Sequence, residues 1–190
     1  MELTLEEKYK LIKSDIVKIE NKDPIEIFNE IVSKDYINIH GPEHHYLDGA
    51  SFLIAYRNNG GIININDALD ELAKRTVKMP GAMCGYWGVC GSVTSIGACL
   101  SIINNTTPIT NNNYYKDNMQ FTSELLNIMS IIGGPRCCKR NAFLALEYAI
   151  YFMKNQYNFE INHNKINCNY SSLNKQCIKE RCPYFVNNKI

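Results

Sequence analysis

Apolar residues recur at helical spacing along most of the chain, and the breaks between runs carry helix-end chemistry. Over residues 4–20, Leu5, Tyr9, Ile12, Ile16 and Ile19 fall on one side, which predicts an amphipathic helix. Asp23-Pro24, a cap followed by proline, predicts a second helix running to about Ser33. Residues 36–40 are short and irregular or extended. Gly41-Pro42 opens a third helix, which Asn58-Asn59-Gly60-Gly61 ends. Asn66 is the expected cap of a fourth helix over 67–77, stopped by Met79-Pro80-Gly81. A glycine-rich stretch, PGAMCGYWGVCG, follows and cannot be regular throughout; it feeds a helix of small residues over 92–103, whose composition implies close backbone neighbours. Residues 114–132 and 136–154 read as two further helices, separated by Gly133-Gly134-Pro135. The second is apolar nearly all round and is expected at the centre. Beyond residue 154 the chain is polar and irregular.

The fold expected is all-α: a single helical domain over residues 1–190, with a glycine-rich cysteine loop and an irregular cysteine-bearing C-terminal tail. Its parts are N-terminal helices (1–38), a helical core with the motifs (39–154) and the tail (155–190). At 190 residues and 45% hydrophobic content the chain can build one real core, which excludes a disordered protein. A formal net charge of +1 gives no global field to recruit nucleic acid or an anionic membrane. The most apolar stretch, 142–153, is too short for a membrane span and contains Glu147. The opening MELTLEEKYK is acidic and amphipathic, unlike a signal peptide, so a cytoplasmic protein is expected.

That expectation changes how the eight cysteines are read. In a reducing compartment they serve metal binding or thiol chemistry rather than disulfides. Four segments concentrate the chemistry. In His40-Gly41-Pro42-Glu43-His44-His45, histidine and carboxylate at a helix start can bind a metal or move protons; alternatively Glu43 complements the helix dipole and the histidines bond locally. His44 stands one turn before the apolar stripe Leu47, Ala50, Ile54 and is expected to point inward. In the second segment, Cys84-Gly85-Tyr86-Trp87-Gly88-Val89-Cys90, the glycines let both sulfurs face one object, with Trp87 available to a substrate; the alternative is a tight turn with two buried thiols. In the third, Arg136-Cys137-Cys138-Lys139-Arg140, helix dipole and cations favour a more acidic thiol, a metal ligand, or an anionic substrate held by Arg136 and Arg140. Only one of the two cysteines is expected to be functional, because adjacent helical residues diverge. In the fourth, Cys168-x8-Cys177-x4-Cys182, three cysteines in a weakly hydrophobic tail call for a metal to order them, with Cys137, Cys138 or His163 as the fourth ligand. Cys99 reads as core.

With HGPEHHYL, PGAMCGYWGVCG and the following TPIT, GGPRCCKRNAFLA and the tail's CPYF, the sequence resembles an uncharacterised prokaryotic family, domain of unknown function 5714. The resemblance covers about residues 39–185. Members resemble stand-alone proteins of this size or domains joined to methyltransferase or radical-type proteins, mostly in anaerobes. It therefore implies an iron–sulfur setting and a methyltransferase or radical-enzyme partner. Where the family tends to have Gly-Gly-Phe before the first loop cysteine, this chain has Gly81-Ala82-Met83.

The leading expectation is an iron–sulfur protein of redox or sulfur-group chemistry, with zinc as the second choice of metal. Cys168, Cys177 and Cys182 with Cys137 or Cys138 would hold the centre. Cys84, Cys90, His44 and Glu43 would line the reactive site, while Arg136, Arg140, Trp87 and His45 bind a small anionic substrate. The alternatives are a non-catalytic module with structural zinc, and a metal-free thiol redox enzyme using Cys84 and Cys90.

Overall fold

The computed structural model describes residues 3–186 and is all-α, with eight α-helices and no strand among the described residues. α1 (Leu5–Ile16) starts at a capping box in which Thr4 and Glu7 satisfy each other's backbone N–H. It stops at Ile16, short of the expected residue 20, because Arg57 and Asn58 take the freed carbonyls: Arg57 donates to Val17 and Ile19, and Asn58 also to Ile19. α2 (Pro24–Val32) begins at the Asp23 cap as expected. α3 spans Glu43–Asn58 and α4 Ile65–Thr76. The cap of α4 is Asn64, not Asn66; its side chain accepts from the Asp67 N–H, and Asn66 lies in the first turn. α5 (Met83–Tyr86) is a single turn inside the glycine-rich stretch, entered through Ala82 at φ 62°. α6 (Gly91–Ile103), α7 (Asn113–Ile132) and α8 (Cys138–Tyr157) complete the set, followed by a 3₁₀ turn at Lys179–Arg181.

The centre belongs to α3, not to α8, where the sequence placed it. Every residue from Glu43 to Ala55 is buried, and α3 packs against α1, α2, α4, α6 and α8. α8 is buried through its first half and then presents Tyr151 to solvent. Hydropathy misses α3 because Glu43, His44, His45 and Asp48 are buried with its apolar residues. α3 crosses α6 where Gly49 faces Ser95 and Cys99. A Cβ on Gly49 would fall 2.5 Å from Ser95 Oγ and 2.8 Å from Cys99 Sγ. Cys99 is a core residue, as expected, with its thiol donating to the Gly49 carbonyl at 3.3 Å.

The tail is irregular but well tied. Ile161, Ile166 and Tyr184 enter the core. Asn164 N–H donates to Asp23, Tyr170 hydroxyl to Asn29, and Tyr184 hydroxyl to Glu147 of α8. The strand-like contact of Cys168 with Phe185, and the Cys168 N–H bond to the Tyr184 carbonyl (2.8 Å), close it into a loop.

Candidate functional site

The first turns of α3, α5, α6 and α8 meet around one cavity of about 260 Å³. Its wall includes His40, His44, His45, Cys84, Cys90, Arg136, Cys137 and Cys138, so residues from three motifs distant in sequence share one space. Helix starts leave unpaired N–H groups and a positive dipole end, and three long helices, α3, α6 and α8, aim theirs here. The contact between His45 and α6 sets the shape. A Cβ on Gly91 would lie 2.1 Å from the imidazole, so only glycine lets α6 start against the ring.

Burial dominates the titration of this wall. It holds His44 well below the ordinary histidine range, helped by the adjacent Lys139 cation, so His44 is neutral. His40 and His45 are lowered, again first by burial. Lys139 donates to the carbonyls of Asn38 (2.9 Å) and Ile39 (2.7 Å) and stands 3.2 Å from His44 Nε2. On the other side of the ring, His44 Nδ1 lies 3.9 Å from Asp48. Asp48 is fully buried, and its carboxyl is pushed up to about 8; Ser92 lies near enough to ease the shift but makes no proper hydrogen bond. The thiols follow the same rule. Burial raises Cys90 and drives Cys138 up to about 12. The more acidic thiol that dipole and cations predicted is therefore not Cys138, because desolvation outweighs both.

Cys137 lines the first cavity beside Cys138 but also reaches beyond it. It caps α8, accepting the Arg140 N–H at 3.4 Å, and with Cys168, Cys177 and Cys182 it lines a second, small cavity of about 20 Å³. Two of the four sulfurs, Cys137 and Cys177, accept N–H hydrogen bonds. Asn174 Nδ2 donates to Cys137 at 3.4 Å and Lys179 N–H to Cys177 at 3.4 Å. Burial raises the thiols of Cys168 and Cys182; the backbone of Tyr170 and of Tyr184 lies near enough to ease the shift but makes no proper hydrogen bond. Among the described residues, no group of three or more His, Cys, Asp or Glu side chains stands ready to hold a single metal ion. Lys139 and Arg140 form part of the same wall.

Several residues singled out in the sequence lie elsewhere. Trp87 is 65% exposed and lines neither cavity. Glu43 is buried against Lys8 (3.2 Å) and the Asn38 N–H (2.8 Å), fixing the entry to α3 rather than facing the cavity. Arg140 spends its guanidinium on the carbonyls of Gly133 and Pro135, holding the Gly-Gly-Pro loop. His163 is exposed, away from the four thiols, and Cys138 is not among them. Conversely, Asp48, Asn141 and Asn174 were not foreseen. Asp48 follows His44 by one helical turn, a spacing that flags a shared face. Asn141 Nδ2 donates to Cys90 Sγ at 3.2 Å. Asn174 Oδ1 lies 3.0 Å from His40 Nε2 and so links the tail to the first cavity. No local signal marks either asparagine.

A family model matches residues 12–185. The chain belongs to DUF5714, a family of unknown function. The match reaches into α1, well before the residue 39 from which the resemblance was read; α1 and α2 pack on α3 and are part of the same core. No curated protein and no solved structure matches the chain. No helix among the described residues is long and apolar enough to cross a membrane.

Proposed function

We propose that this DUF5714 protein holds an iron–sulfur cluster on Cys137, Cys168, Cys177 and Cys182, and that the neighbouring cavity carries redox or sulfur-group chemistry on a small anionic substrate. The observation that carries the reading is that four cysteines, one at the start of α8 and three from the tail, line one small space, with N–H donors on Cys137 and Cys177. Such donors favour thiolate and are a lever by which proteins tune cluster potential. Charge supports the same reading. Arg140 is 5% exposed, its Nη1 has no partner, and it forms no ion pair among the described residues. A buried cation left without counter-charge costs several kcal/mol. An anionic four-thiolate centre would supply that counter-charge.

When bound there, a cluster supplies electrons one at a time. The chain's own residues do the rest. Cys137 belongs to the walls of both cavities, so the centre borders the reacting space. Arg136 offers an anion its guanidinium, and the neutral imidazoles of His44 and His45 exclude water without adding charge. An accessory role beside a methyltransferase or radical enzyme is part of this proposal. The second reading, a structural zinc in a binding module, has its own support: about 20 Å³ between the thiols is room for one atom, and a cluster requires the exposed 169–183 segment to open outward.

Metal analysis of anaerobically purified protein decides. Iron with acid-labile sulfide and a brown colour is expected, lost in Cys137→Ser, Cys168→Ser, Cys177→Ser and Cys182→Ser and retained in Cys138→Ser. Stoichiometric zinc instead supports the second reading. A chain free of both, or four serine variants that keep full metal, sinks the proposal.

A further inference from the structure

A second cavity, of about 380 Å³, opens on the other side of the glycine-rich cysteine loop. Four residues belong to both it and the first cavity: Cys84, Cys90, Arg136 and Asn141. Two thiols, a guanidinium and an amide thus form the partition between two open spaces. Neither wall contains a carboxylate. The first receives three helix N-termini, and Nδ1 of buried His45, on its wall, has no hydrogen-bond partner.

We propose that the partition is a thiol–disulfide exchange site, Cys84 with Cys90, for a small disulfide with anionic arms. A disulfide carries its reactive bond in the middle and an arm at each end, which is the shape of two cavities meeting at two thiols. Arg136 at the junction and the absence of carboxylates select acidic arms. The inference rests on the reading above only in taking this region as the reacting site, since exchange itself needs no metal.

The step balances as follows. Cys84 loses its proton and its sulfur attacks one substrate sulfur; the substrate S–S bond breaks, and one arm leaves as a thiolate that takes up a proton. Cys90 then attacks the Cys84 sulfur of the mixed disulfide, and the second arm leaves as a thiol. The protein keeps a Cys84–Cys90 disulfide, and two electrons have passed to the substrate. A one-electron donor protein, acting twice, or a small dithiol returns the pair to the reduced state. Closure needs the loop to move, and there is open space beside it: a Cβ placed at Gly81, Gly85 or Gly88 meets nothing within 4 Å. Asn141, donating to Cys90, holds that sulfur at the partition.

The reduced full chain is mixed with oxidised glutathione, an anionic disulfide, or with cystamine, a cationic one, and followed by mass spectrometry with peptide mapping. Oxidised glutathione should yield a Cys84–Cys90 disulfide and two released thiols per chain. Cys90→Ser should trap one adduct on Cys84, and Cys84→Ser should lower the rate at least tenfold. Arg136→Gln should slow oxidised glutathione about tenfold, the loss expected for one charged hydrogen bond, and should not slow cystamine. Circular dichroism checks that each variant is folded, and adduct mapping on the unaltered chain needs no variant. First adducts at other cysteines, or cystamine reacting as fast as oxidised glutathione, overturn the proposal. Iron measured on the same samples separates this failure from that of the cluster reading.

Discussion

Asp48 shows how one buried group sets the behaviour of its surroundings. Its carboxyl sits in the central helix, fully buried, raised from an ordinary 3.8 to about 8. The folded protein therefore keeps this proton across a range where the unfolded chain has lost it. Unfolding releases the proton, so raising the pH between about 4 and 8 lowers stability, by at most about 1.4 kcal/mol per pH unit from this group. Asp48→Asn removes the ionisation and keeps the size. The buried neutral histidines push the other way in both chains, so the test is the difference: from pH 5 to pH 7.5 the urea midpoint of the unaltered chain should fall relative to that of the variant. Parallel pH profiles would show that Asp48 is ionised in the fold. The neighbouring His44, neutral for the same reason of burial, gives Asp48 no cation at 3.9 Å to lower it.

At the scale of elements, the close crossing of α3 and α6 positions both halves of the first cavity. Gly49 makes it possible, with Ser95 Oγ, Cys99 Sγ and Leu72 Cδ2 all within 3 Å of where its Cβ would stand. Gly49→Ala gains up to about 1 kcal/mol of helix propensity but overpacks the crossing, which costs about 1–3 kcal/mol. A net loss of about 1 kcal/mol is expected in denaturant unfolding, with part of it recovered when Ser95→Ala removes the nearest atom. An unchanged or raised midpoint would mean the crossing has slack. The helices themselves were legible in the sequence because their ends are local: Thr4, Asp23 and Pro24, and the Asn-Asn-Gly-Gly stop each act within a few residues. The centrality of α3 was not, since its polar residues are paid for by partners far away, such as Lys8 for Glu43. The same distinction holds at the site. Cysteine and histidine motifs announce themselves, whereas Asn174 depends on a tail that returns 134 residues after His40. Which of Cys137 and Cys138 joins the tail depends on the cap that Cys137 forms on α8.

Across the whole molecule, the helical body and the tail are held by different means. The body has a continuous core, and the tail reaches it at Ile161 and Ile166 before the first tail cysteine and at Tyr184 after the last. Between residues 169 and 183, Asn174 is the one buried side chain. Fixing each backbone residue costs about 1–2 kcal/mol, and a segment of this length with no buried apolar side chain cannot offset that by packing. What it does hold is Cys177 and Cys182, beside Cys168 and Cys137, and metal coordination coupled to ordering contributes on the order of 10 kcal/mol. Order in this segment should therefore follow metal, while the anchors on either side should not. Limited proteolysis of metal-loaded protein is expected to leave the tail whole. After chelation, or in Cys177→Ser, cleavage should fall within 169–183, at sites such as Lys175 and Lys179, with the helical body intact and the Tyr184 end still docked on Phe143 and Glu147 of α8. Equal resistance of loaded and metal-free protein in that segment would mean that the hydrogen bonds of Asn174 to His40 and Cys137 suffice to hold it. The four-thiol centre would then have no part in shaping the cavity beside it.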